Sequence, residues 1–517
     1  METTPLKTAV PEGKFKLKDL APNSGAGIEM NRTDSHIEVK YQNRFALYDE
    51  EAQAPKAVVQ DKSIRTDTRV PKLGVMLVGL GGNNGSTFTA GTIANRKGLT
   101  WATRNGEQKA NFYGSFTQSA TCHVGFKFNQ QDGSLEDVHK PIKELLPMVN
   151  PVDFDITGWD IKSENLYESC KRSHVLEPTL IEQLKEDLEA IKPLPAVLNP
   201  DFIAANQSER TDNVRTGTNR ELIDSIRADI RAHKAKNDKV IVLWTANTEM
   251  YLLPEINAMD DLEGRIADNK PLPASVLYCI ACIEEQILYL NGSPQNTFHP
   301  AIVELAQKHN ALIAGNDFKS GQTRFKTIMS DFLIGSGLRL ASVVSYNHLG
   351  NNDGKNLSED KCFQSKKISK AGVLDDAMAA NKVLYPEGKQ HIDHEVVIKY
   401  VPFVGDSKRA LDEYSSQIFL GGTNTISSYN ICEDSLLAVP LMFDMIVLGE
   451  LFTRMEIDGE KMGPVLSYLS FFFKAPITNH GEYIINSFSR QRETLVNLLK
   501  VAAGILPDDT TLLSFKF

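Results

Sequence analysis

The chain has 517 residues, 41% of them hydrophobic and 24% charged, which is ordinary for a globular protein of about three domains. Its formal net charge of −10 argues against nucleic acid or an anionic membrane as a partner, because either would require a basic surface. The six cysteines show no framework spacing and the N-terminus has no secretory pattern, so we expect a cytoplasmic protein.

The first strongly patterned unit follows a polar segment, residues 1–65, in which we predict one or two strands. An apolar run from Leu73 leads into the loop GLGGNNGST and then into a helical pattern. Glycines in such a loop let backbone N–H groups approach a pyrophosphate beside a helix N-terminus. Asn84 stands where the GxGxxG pattern has its last glycine, so a glycine-rich turn without a ligand is the alternative.

Three later apolar runs predict further strands of the same sheet. FDITGWDIKS carries Asp155 and Asp160, either of which could bind a ribose diol, although Asp160 could equally cap a helix. KVIVLWTANTEMY, from Lys239, and NALIAGNDFKSGQT, from Asn310, alternate with helical patterns, which indicates a parallel sheet. Ligands bind at the carboxyl ends of such strands, so we expect the polar residues there to face a ligand.

Two polar segments are candidates for substrate binding. The segment NDFKSGQTR places Asp317 and Ser320 directly after a buried strand, where they either face a ligand or cap the next helix. From about residue 330 the pattern is that of an α+β unit, and it includes the loop NHLGNNDGKN. The polar residues of this loop are Asn347, Asn351, Asn352 and Asp353. Asparagine and aspartate suit sugar hydroxyls, but a solvated surface turn is the alternative.

Four lysines are candidates for catalysis. Lys366 and Lys370 are four residues apart, on one face if helical, and Lys408 follows the strand-like run VVIKYVPFVG. Lys474 lies in the apolar segment FFFKAP, and burial there would lower its pKa, which suits proton transfer. The alternatives are a solvated cationic face for the first two and a snorkelling side chain for Lys474.

Aspartates also accompany three later segments. We interpret Asp406 as the N-cap of a helix in KRALDEY, and Asp434 as the start of another helix. The apolar run SLLAVPLMFDMIVLGEL contains Pro440 and Asp444, and this interruption argues against a membrane span.

Metal-binding patterns are weak in this chain. Cys279 and Cys282 form a CxxC on an apolar helical face, and no second pair of ligands accompanies them. His391 and His394 have HxxH spacing but precede a strand. The acidic loops leave a role for a monovalent or divalent cation open, with no ligand set to assign.

Several of these segments together resemble the eukaryotic-type myo-inositol-phosphate synthases. The shared motifs are GLGGNNGST, LWTANTE, NGSPQNTF, DFKSGQT, SYNHLGNNDGKNLS, VGDSKRALDEY and CEDSLLA. The similarity runs from about residue 70 to the end, is dense from Lys239 to Pro440, and is most specific in the asparagine-glycine loop.

This resemblance implies an α/β fold with a Rossmann-type NAD-binding domain and an inserted α+β catalytic and tetramerisation domain. The implied ranges are an N-terminal segment, 1–65, an NAD domain, 66–328, the inserted domain, 329–440, and a C-terminal segment, 441–517. The first and last would pack together around the NAD domain. The assembly would be a homotetramer.

Residue roles follow from the matched motifs. Implied contacts with NAD come from Gly79, Gly82, Asn83, Asn84, Gly85, Asp160, Thr245, Ala246, Asn247, Thr248, Gly292, Ser293, Ser320, Asp406 and Asp434. Implied catalytic residues are Lys366, Lys370, Lys408, Lys474, Asp317 and Asp353. Implied substrate contacts are Asn347, Asn351, Asn352, Lys366, Lys370 and Lys408. The sequence departs from the family at Met250, Asn316 and Arg324, where the family usually has arginine, an acid and lysine.

The resemblance implies that glucose 6-phosphate is isomerised to 1D-myo-inositol 3-phosphate. The sugar is oxidised at carbon 5, enolised, closed by an intramolecular aldol step and reduced again, so that NAD is regenerated. Two alternatives are an ordinary NAD-dependent sugar-phosphate dehydrogenase and a catalytically silent NAD-binding scaffold. The retained Lys366, Lys408 and Lys474 argue against both.

Overall fold

The computed structural model of the chain describes residues 27–129, 131, 135–388, 390–479 and 482–508. Within them the strands are β1 (Ile28–Arg32), β2 (His36–Asp49), β3 (Ala54–Asp67), β4 (Leu73–Val78), β5 (Thr100–Thr103), β6 (Gly106–Lys109), β7 (Thr121–Phe128), β8 (Leu135–Pro141), β9 (Asp155–Asp160), β10 (Leu194–Val197), β11 (Val214–Arg215), β12 (Lys239–Trp244), β13 (Leu288–Asn291), β14 (Ile313–Ala314), β15 (Arg339–Leu349), β16 (Asp393–Tyr400), β17 (Ser407–Gln417), β18 (Thr423–Glu433), β19 (Met455–Ile457) and β20 (Glu460–Lys461).

The α-helices of the same residues are α1 (Asn83–Lys97), α2 (Phe116–Ser119), α3 (Leu166–Ser173), α4 (Pro178–Gln183), α5 (Lys185–Glu189), α6 (Asn219–Lys234), α7 (Met259–Ala267), α8 (Ala274–Glu284), α9 (Pro300–His309), α10 (Gly321–Gly335), α11 (Asn352–Asn356), α12 (Asp360–Ala371), α13 (Asp375–Ala380), α14 (Asp434–Phe452) and α15 (Phe488–Ala502). Short 3-10 turns connect several of these elements, as at Ser467–Phe472.

A parallel sheet of seven strands forms the centre of the fold, in the order β11-β10-β9-β4-β12-β13-β14. Without the edge strand β11, this is the order 3-2-1-4-5-6 of a Rossmann fold, and it confirms the predicted fold class. β4 and β12 pair over their full length, from Leu73 opposite Lys239 to Val78 opposite Trp244. The chain leaves this central pair in opposite directions, so a crevice opens at the carboxyl ends of the two strands.

Both faces of the sheet are apolar because alternate residues of each strand are buried on opposite sides. Val75 and Leu77 of β4 belong to a core that includes residues of α1 and α14. Met76 and Val78 belong to a second core that includes residues of α6, α8 and α9. Thus α14, from the C-terminal part of the chain, closes one face of the Rossmann sheet.

Helix α14 is also the segment that the sequence singled out as the most apolar. By length and composition it could cross a membrane, but 83% of the relevant window is buried inside the protein. Its burial is that of a core helix.

Asp444 of α14 fixes the loop before α2. Its carboxylate is fully buried and accepts hydrogen bonds from the Ser115 hydroxyl at 2.6 Å and from the backbone N–H groups of Phe116 and Thr117 at 2.6 and 2.7 Å. The Thr117 hydroxyl donates a fourth, at 2.7 Å. The charge that interrupts the apolar run therefore serves as a buried acceptor between two elements.

We expect Asp444→Ala to lower the free energy of unfolding by roughly 3 kcal/mol, because it leaves buried donors unpaired. Asp444→Asn keeps one acceptor oxygen and should lose about half as much. Denaturant-induced unfolding of the two variants and the parent chain measures this difference. Equal stability of the alanine variant and the parent would contradict the assignment.

The N-terminal strands of the described chain meet a C-terminal hairpin in an antiparallel sheet of order β1-β2-β3-β19-β20. β2 and β3 form a hairpin with 14 residues on each side, and β3 then pairs with β19, with Thr66 opposite Met455. The sequence predicted one or two strands here, and the structure shows three. Residues 1–26 of the predicted N-terminal segment lie outside the described residues.

A mixed sheet of order β16-β15-β17-β18 covers the crevice of the Rossmann sheet. β15 runs parallel to β16 and antiparallel to β17. The predicted helix in KRALDEY is wrong, because these residues belong to β17, where alternate residues such as Ala410, Asp412 and Tyr414 are buried. Pairing on both sides with β15 and β18 overrides the helical preference of the local sequence.

Candidate active site

A cleft lies between the carboxyl ends of the Rossmann strands and the mixed sheet. It encloses about 1720 Å³ of empty space, part of it open to solvent. Every predicted site residue lines it except Gly85, Asp406 and Lys370, and the Lys370 side chain lies outside the described part of the chain. The structure therefore brings together residues that are spread over nearly 400 positions, from Gly79 to Lys474.

The glycine loop joins β4 to α1 at the floor of the cleft. Gly79 has a φ of +92°, and a Cβ there would lie 2.8 Å from the Cα of Ala246, so only glycine fits. Gly85 is packed below the loop, where a Cβ would lie 2.5 Å from two backbone oxygens. α1 begins after Gly82 and no side chain caps its N-terminus, which leaves its first N–H groups for an anion.

We expect Gly79→Ala to weaken NAD binding by at least about tenfold, since the β4 turn must shift away from Ala246. Gly91→Ala is a matched control, because a Cβ at that helical position meets no atom within 4 Å. Isothermal titration with NAD gives both dissociation constants. Unchanged binding by the Gly79 variant would show that the tight turn is not required.

Asp160 ends β9, the second strand of the Rossmann order. One carboxylate oxygen accepts the Gly81 N–H at 2.8 Å and the other accepts the Lys162 N–H at 3.0 Å. It does not cap the next helix, since Asn165 caps α3. Asp155 starts the same strand, at the end away from the cleft, and accepts a hydrogen bond from Asn237. Of the two predicted ribose partners, only Asp160 therefore lines the cleft.

The asparagine loop is folded against the glycine loop and is not a solvated turn. Asn351 caps α11 through the Gly354 N–H and donates to Asp406 at 3.1 Å. Asp406 also accepts from Asn83, at 3.3 Å, and from the Ser435 N–H and hydroxyl at 2.8 and 2.9 Å. Asp406 is therefore a buried acceptor behind the cleft wall, linking the glycine loop, the asparagine loop and α14.

Amides and hydroxyls form another part of the cleft wall. Asn352 donates to Gln207 at 3.0 Å and to Asn247 at 3.2 Å, and Asn247 donates to the same Gln207 oxygen. The Asn347 side-chain oxygen and the Thr245 hydroxyl are buried, and neither has a hydrogen-bond partner among the described residues. Because both residues line the cleft, these oxygens can bind polar groups of a ligand.

Three of the predicted lysines are nearly buried and paired with aspartates. Asp317 lies between two of them, with Lys366 Nζ at 3.1 Å from one carboxylate oxygen and Lys474 Nζ at 3.2 Å from the other. Lys408 Nζ lies 3.4 Å from Asp434, the first residue of α14. The predicted alternatives of a solvated face for Lys366 and a snorkelling side chain for Lys474 are not observed, since these side chains are 12% and 8% exposed.

The ion pairs shift the pKa values of their members in different directions. Burial alone would raise the pKa of Asp317, but Lys366 and Lys474 hold it at about 2. Burial lowers the pKa of Lys474 to about 8, against the opposing effect of Asp317. Burial acts the same way on Lys366, but Asp317 and Asp353 outweigh it and raise that pKa. At neutral pH all three groups are charged, and Lys474 is the one closest to releasing its proton.

Backbone pairing sets the position of Lys474. Its N–H donates to the Asp317 carbonyl at 2.9 Å, the Asn316 N–H donates to the Ala475 carbonyl at 3.0 Å, and the Lys319 N–H donates to the Phe472 carbonyl at 2.8 Å. The predicted buried segment FFFKAP thus runs beside the segment after β14. Ser320 occupies the N-cap position of α10 without a side-chain cap bond, so it is free to face the cleft.

The three departures from the family pattern lie beside the site. Asn316 accepts a hydrogen bond from Asn291 at 2.7 Å, a role that an acid would also fill. The Met250 N–H donates to the Phe202 carbonyl, and its side chain packs against the core below α8. The Arg324 guanidinium lies 4.6 Å from the Phe471 ring centre, and burial lowers its pKa to about 10.

Sequence reasoning missed several residues in the cleft wall or directly behind it. Gln207 joins two asparagines, and Glu249 lines the wall after Thr248. An apolar end of the cleft is formed by Ile161, Ala196, Val197, Leu198 and Ile203. The signal in the sequence for this apolar end was the short run LPAV. It forms β10, and its carboxyl end opens into the cleft.

The weak metal patterns give no site among the residues that the structure describes, where no group of three or more His, Cys, Asp or Glu side chains could hold an ion. Cys279 and Cys282 are fully buried in α8, and burial raises the pKa of both thiols. His394 lies 2.9 Å from Lys326 Nζ.

Known proteins share both the sequence and the fold. Residues 73–500 match the NAD-binding family model described as myo-inositol-1-phosphate synthase, in agreement with the predicted cofactor. Inositol-3-phosphate synthase 1 of Populus euphratica is 47% identical over 97% of this chain and 99% of its own length. Inositol-3-phosphate synthase isozyme 1 of Arabidopsis thaliana is 50% identical over 89% of this chain and 91% of its own.

A solved structure of inositol-3-phosphate synthase from Caenorhabditis elegans superimposes with a TM-score of 0.90 at 43% identity, covering 95% of this chain and 98% of that one. Sequence motifs, Rossmann order, family model and solved relative agree. This chain belongs to the myo-inositol-1-phosphate synthase family.

Proposed function

We propose that the chain isomerises D-glucose 6-phosphate to 1D-myo-inositol 3-phosphate, the first step of inositol biosynthesis, with NAD regenerated in every turnover. The observation that carries this proposal is the convergence of Lys366, Lys408 and Lys474 on one side of a Rossmann crevice. Oxidation alone would not require three nearly buried ammonium groups beside the cofactor site, whereas enolisation and ring closure develop negative charge on oxygen.

The cleft fits NAD. The uncapped start of α1 and the Gly79 turn suit a pyrophosphate, Asp160 suits the adenosine ribose, and the apolar end beyond β10 suits an adenine ring. The buried Thr245 hydroxyl has no partner among the described residues and provides a polar contact further along. When bound, NAD would accept a hydride from carbon 5 of the sugar and later return it.

The residues of the chain would supply the remaining chemistry. Lys366 and Lys408 would stabilise the enolate oxygen, since their charge is held in place before the reaction by Asp317 and Asp434. Lys474 would donate a proton to the alkoxide that forms when carbon 6 attacks carbon 1.

Positioning of the open sugar chain would fall to polar side chains. Asn347, Asn351 and Asn352 line the same cleft as the lysines and would hold the chain folded for ring closure. We also assign Lys370, four residues after Lys366, to the phosphate end of the substrate, and Asp353, whose charge acts on Lys366, to the catalytic group.

The test is to incubate the purified chain with glucose 6-phosphate and a small amount of NAD. Inositol phosphate formed over many turnovers without accumulation of NADH supports the proposal. NADH that accumulates in step with substrate consumption would indicate a plain sugar-phosphate dehydrogenase. Tight NAD binding with neither product would indicate a catalytically silent scaffold.

We also propose that the chain forms a homotetramer through the outer face of the mixed sheet. Tyr346, Leu411 and Tyr429 lie directly opposite one another on β15, β17 and β18, and they are 50%, 45% and 64% exposed. Ile431, 53% exposed, extends this apolar row. Such a continuous face is typical of a surface that is buried in an assembly.

Light scattering on Tyr429→Asp tests the assembly, with Tyr113→Asp as a control at an exposed tyrosine outside this sheet. We expect a smaller particle only from the first variant. An unchanged mass would place the interface elsewhere.

We further propose a domain division and a cellular location for the chain. We propose the ranges 1–65, 66–328, 329–440 and 441–517, supported by the pairing of β3 with β19 and by the separate mixed sheet between them. A cytoplasmic location is supported by six free cysteines.

A further inference from the structure

Glu249 is a buried acid at the edge of the cleft with no role in the chemistry above. It is 1% exposed, and its two carboxylate oxygens accept the first backbone N–H groups of α8, Ala274 at 2.9 Å and Ser275 at 3.1 Å. The Ser275 hydroxyl also bonds to it. The carboxylate is therefore the acceptor at the start of a buried, largely apolar helix under the Rossmann sheet.

A series of hydrogen-bonded side chains connects this carboxylate to the segment that carries Asp317. The Thr297 hydroxyl donates to the Ser275 oxygen at 2.9 Å, and Asn291 donates to Thr297 at 3.1 Å. The same Asn291 amide donates to the Asn316 oxygen at 2.7 Å. All of these residues are at least nine-tenths buried, so the bonds are shielded from water.

The backbone of Glu249 connects to the other half of the ion pair. Its carbonyl accepts the Ser365 hydroxyl at 2.9 Å, and Ser365 directly precedes Lys366 on α12. Its N–H donates to Gln295 at 3.4 Å, and Gln295 donates to Asn291 at 3.3 Å, which closes a second route to the same amide. One residue thus contacts both the helix of Lys366 and the network behind Asp317.

The donors along the route from Asn291 through Thr297 and Ser275 all point toward Glu249. Such an ordered series needs an end group that accepts, and both Glu249 oxygens do so, from the Ala274 and Ser275 N–H groups. Burial raises the pKa of this carboxyl to about 7 against the effect of these bonds, so it ionises near neutral pH. A glutamine there could satisfy only one of the two α8 N–H groups, because its NH₂ would face the other donor.

We propose that Glu249 is a positioning residue that fixes the geometry of the Lys366–Asp317 pair. This inference rests on the proposed function, since it assigns the effect to steps that follow oxidation of the sugar. A loosened pair would slow enolisation and ring closure, and bound NADH would then build up during turnover.

The experiment compares Glu249→Gln with Glu450→Gln, a matched control on α14 whose carboxylate is also fully buried but pairs with Arg454 and with Lys239 of β12. For Glu249→Gln we expect kcat to fall about tenfold or more, because small misplacements are costly in such sites. The dissociation constant for NAD should stay within about twofold. The fraction of enzyme carrying NADH, followed by absorbance during turnover, should rise. The control should keep the parent kcat and NADH fraction whatever its stability.

Thr297→Val keeps the bonds from the α8 N–H groups to Glu249 and removes the links of Thr297 to Asn291 and to the Ser275 hydroxyl, so it decides the question if Glu249→Gln fails to fold. It should lower kcat in the same direction with a rise in bound NADH. A parent-like kcat and NADH fraction in Thr297→Val, or a Glu249→Gln defect that only follows the folded fraction, would overturn the proposal. Failure of the parent chain to make inositol phosphate would instead overturn the proposed function.

Discussion

Asp317→Asn is expected to lower kcat for inositol phosphate formation by about 10²- to 10³-fold. Asp317 neutralises Lys366 and Lys474 at 3.1 and 3.2 Å and also accepts the Ser369 hydroxyl at 3.0 Å. An asparagine would leave two buried ammonium groups near each other without their nearest counter-charge. Since the carboxylate favours the charged form of both lysines, its loss lowers both pKa values.

The size of the expected loss in kcat depends on Lys474, the lysine of the pair that is closest to losing its proton. The pKa of Lys474 is already about 8, so without Asp317 much of this group would be neutral at neutral pH and unable to donate. Initial rates of product formation measure the effect, with Asp444→Asn as a control for an equally buried aspartate outside the lysine group. A folded Asp317→Asn protein with the parent kcat would rule out the assigned role.

The second large effect is expected at Lys474 itself. Lys474→Met should lower kcat by about 10²- to 10³-fold, because the variant lacks the proposed proton donor. In the parent chain burial lowers the pKa of Lys474 to about 8, so the protonated form is present below that pH and is lost above it. We therefore expect kcat to fall as the pH rises beyond about 8.

A pH series of kcat for the parent chain and for Lys474→Arg tests this assignment. Arginine stays protonated over the whole range, so whatever activity remains should no longer fall on the alkaline side. A parent profile that stays flat well above pH 8, or a Lys474→Met protein with full activity, would show that another group donates the proton.

The sequence predicted correctly those elements in which the local pattern of apolar residues matches the burial of the same residues in the fold. Continuous apolar runs at β4 and β12 indicated strands of a parallel sheet, and the polar residues after them do line the cleft. The buried lysine in FFFKAP was recognisable because an ammonium group rarely has such apolar neighbours.

Long-range pairing explains what the sequence did not predict. KRALDEY has the composition of a helix, and only its neighbours β15 and β18 make it a strand. Gln207 and Glu249 gain their importance from residues more than 100 positions away, such as Asn352 and Ser365. A choice between Asp155 and Asp160 required knowing which end of β9 faces the crevice.

The placement of α14 has a consequence for synthesis on the ribosome. The Rossmann strands from β4 to β14 emerge well before α14, yet α14 covers one of their two apolar faces. A nascent chain that has completed the sheet must therefore leave part of that face exposed until α14, residues 434–452 of 517, has been made. This interval is when we expect the chain to need chaperones, and chains that stop before α14 should aggregate.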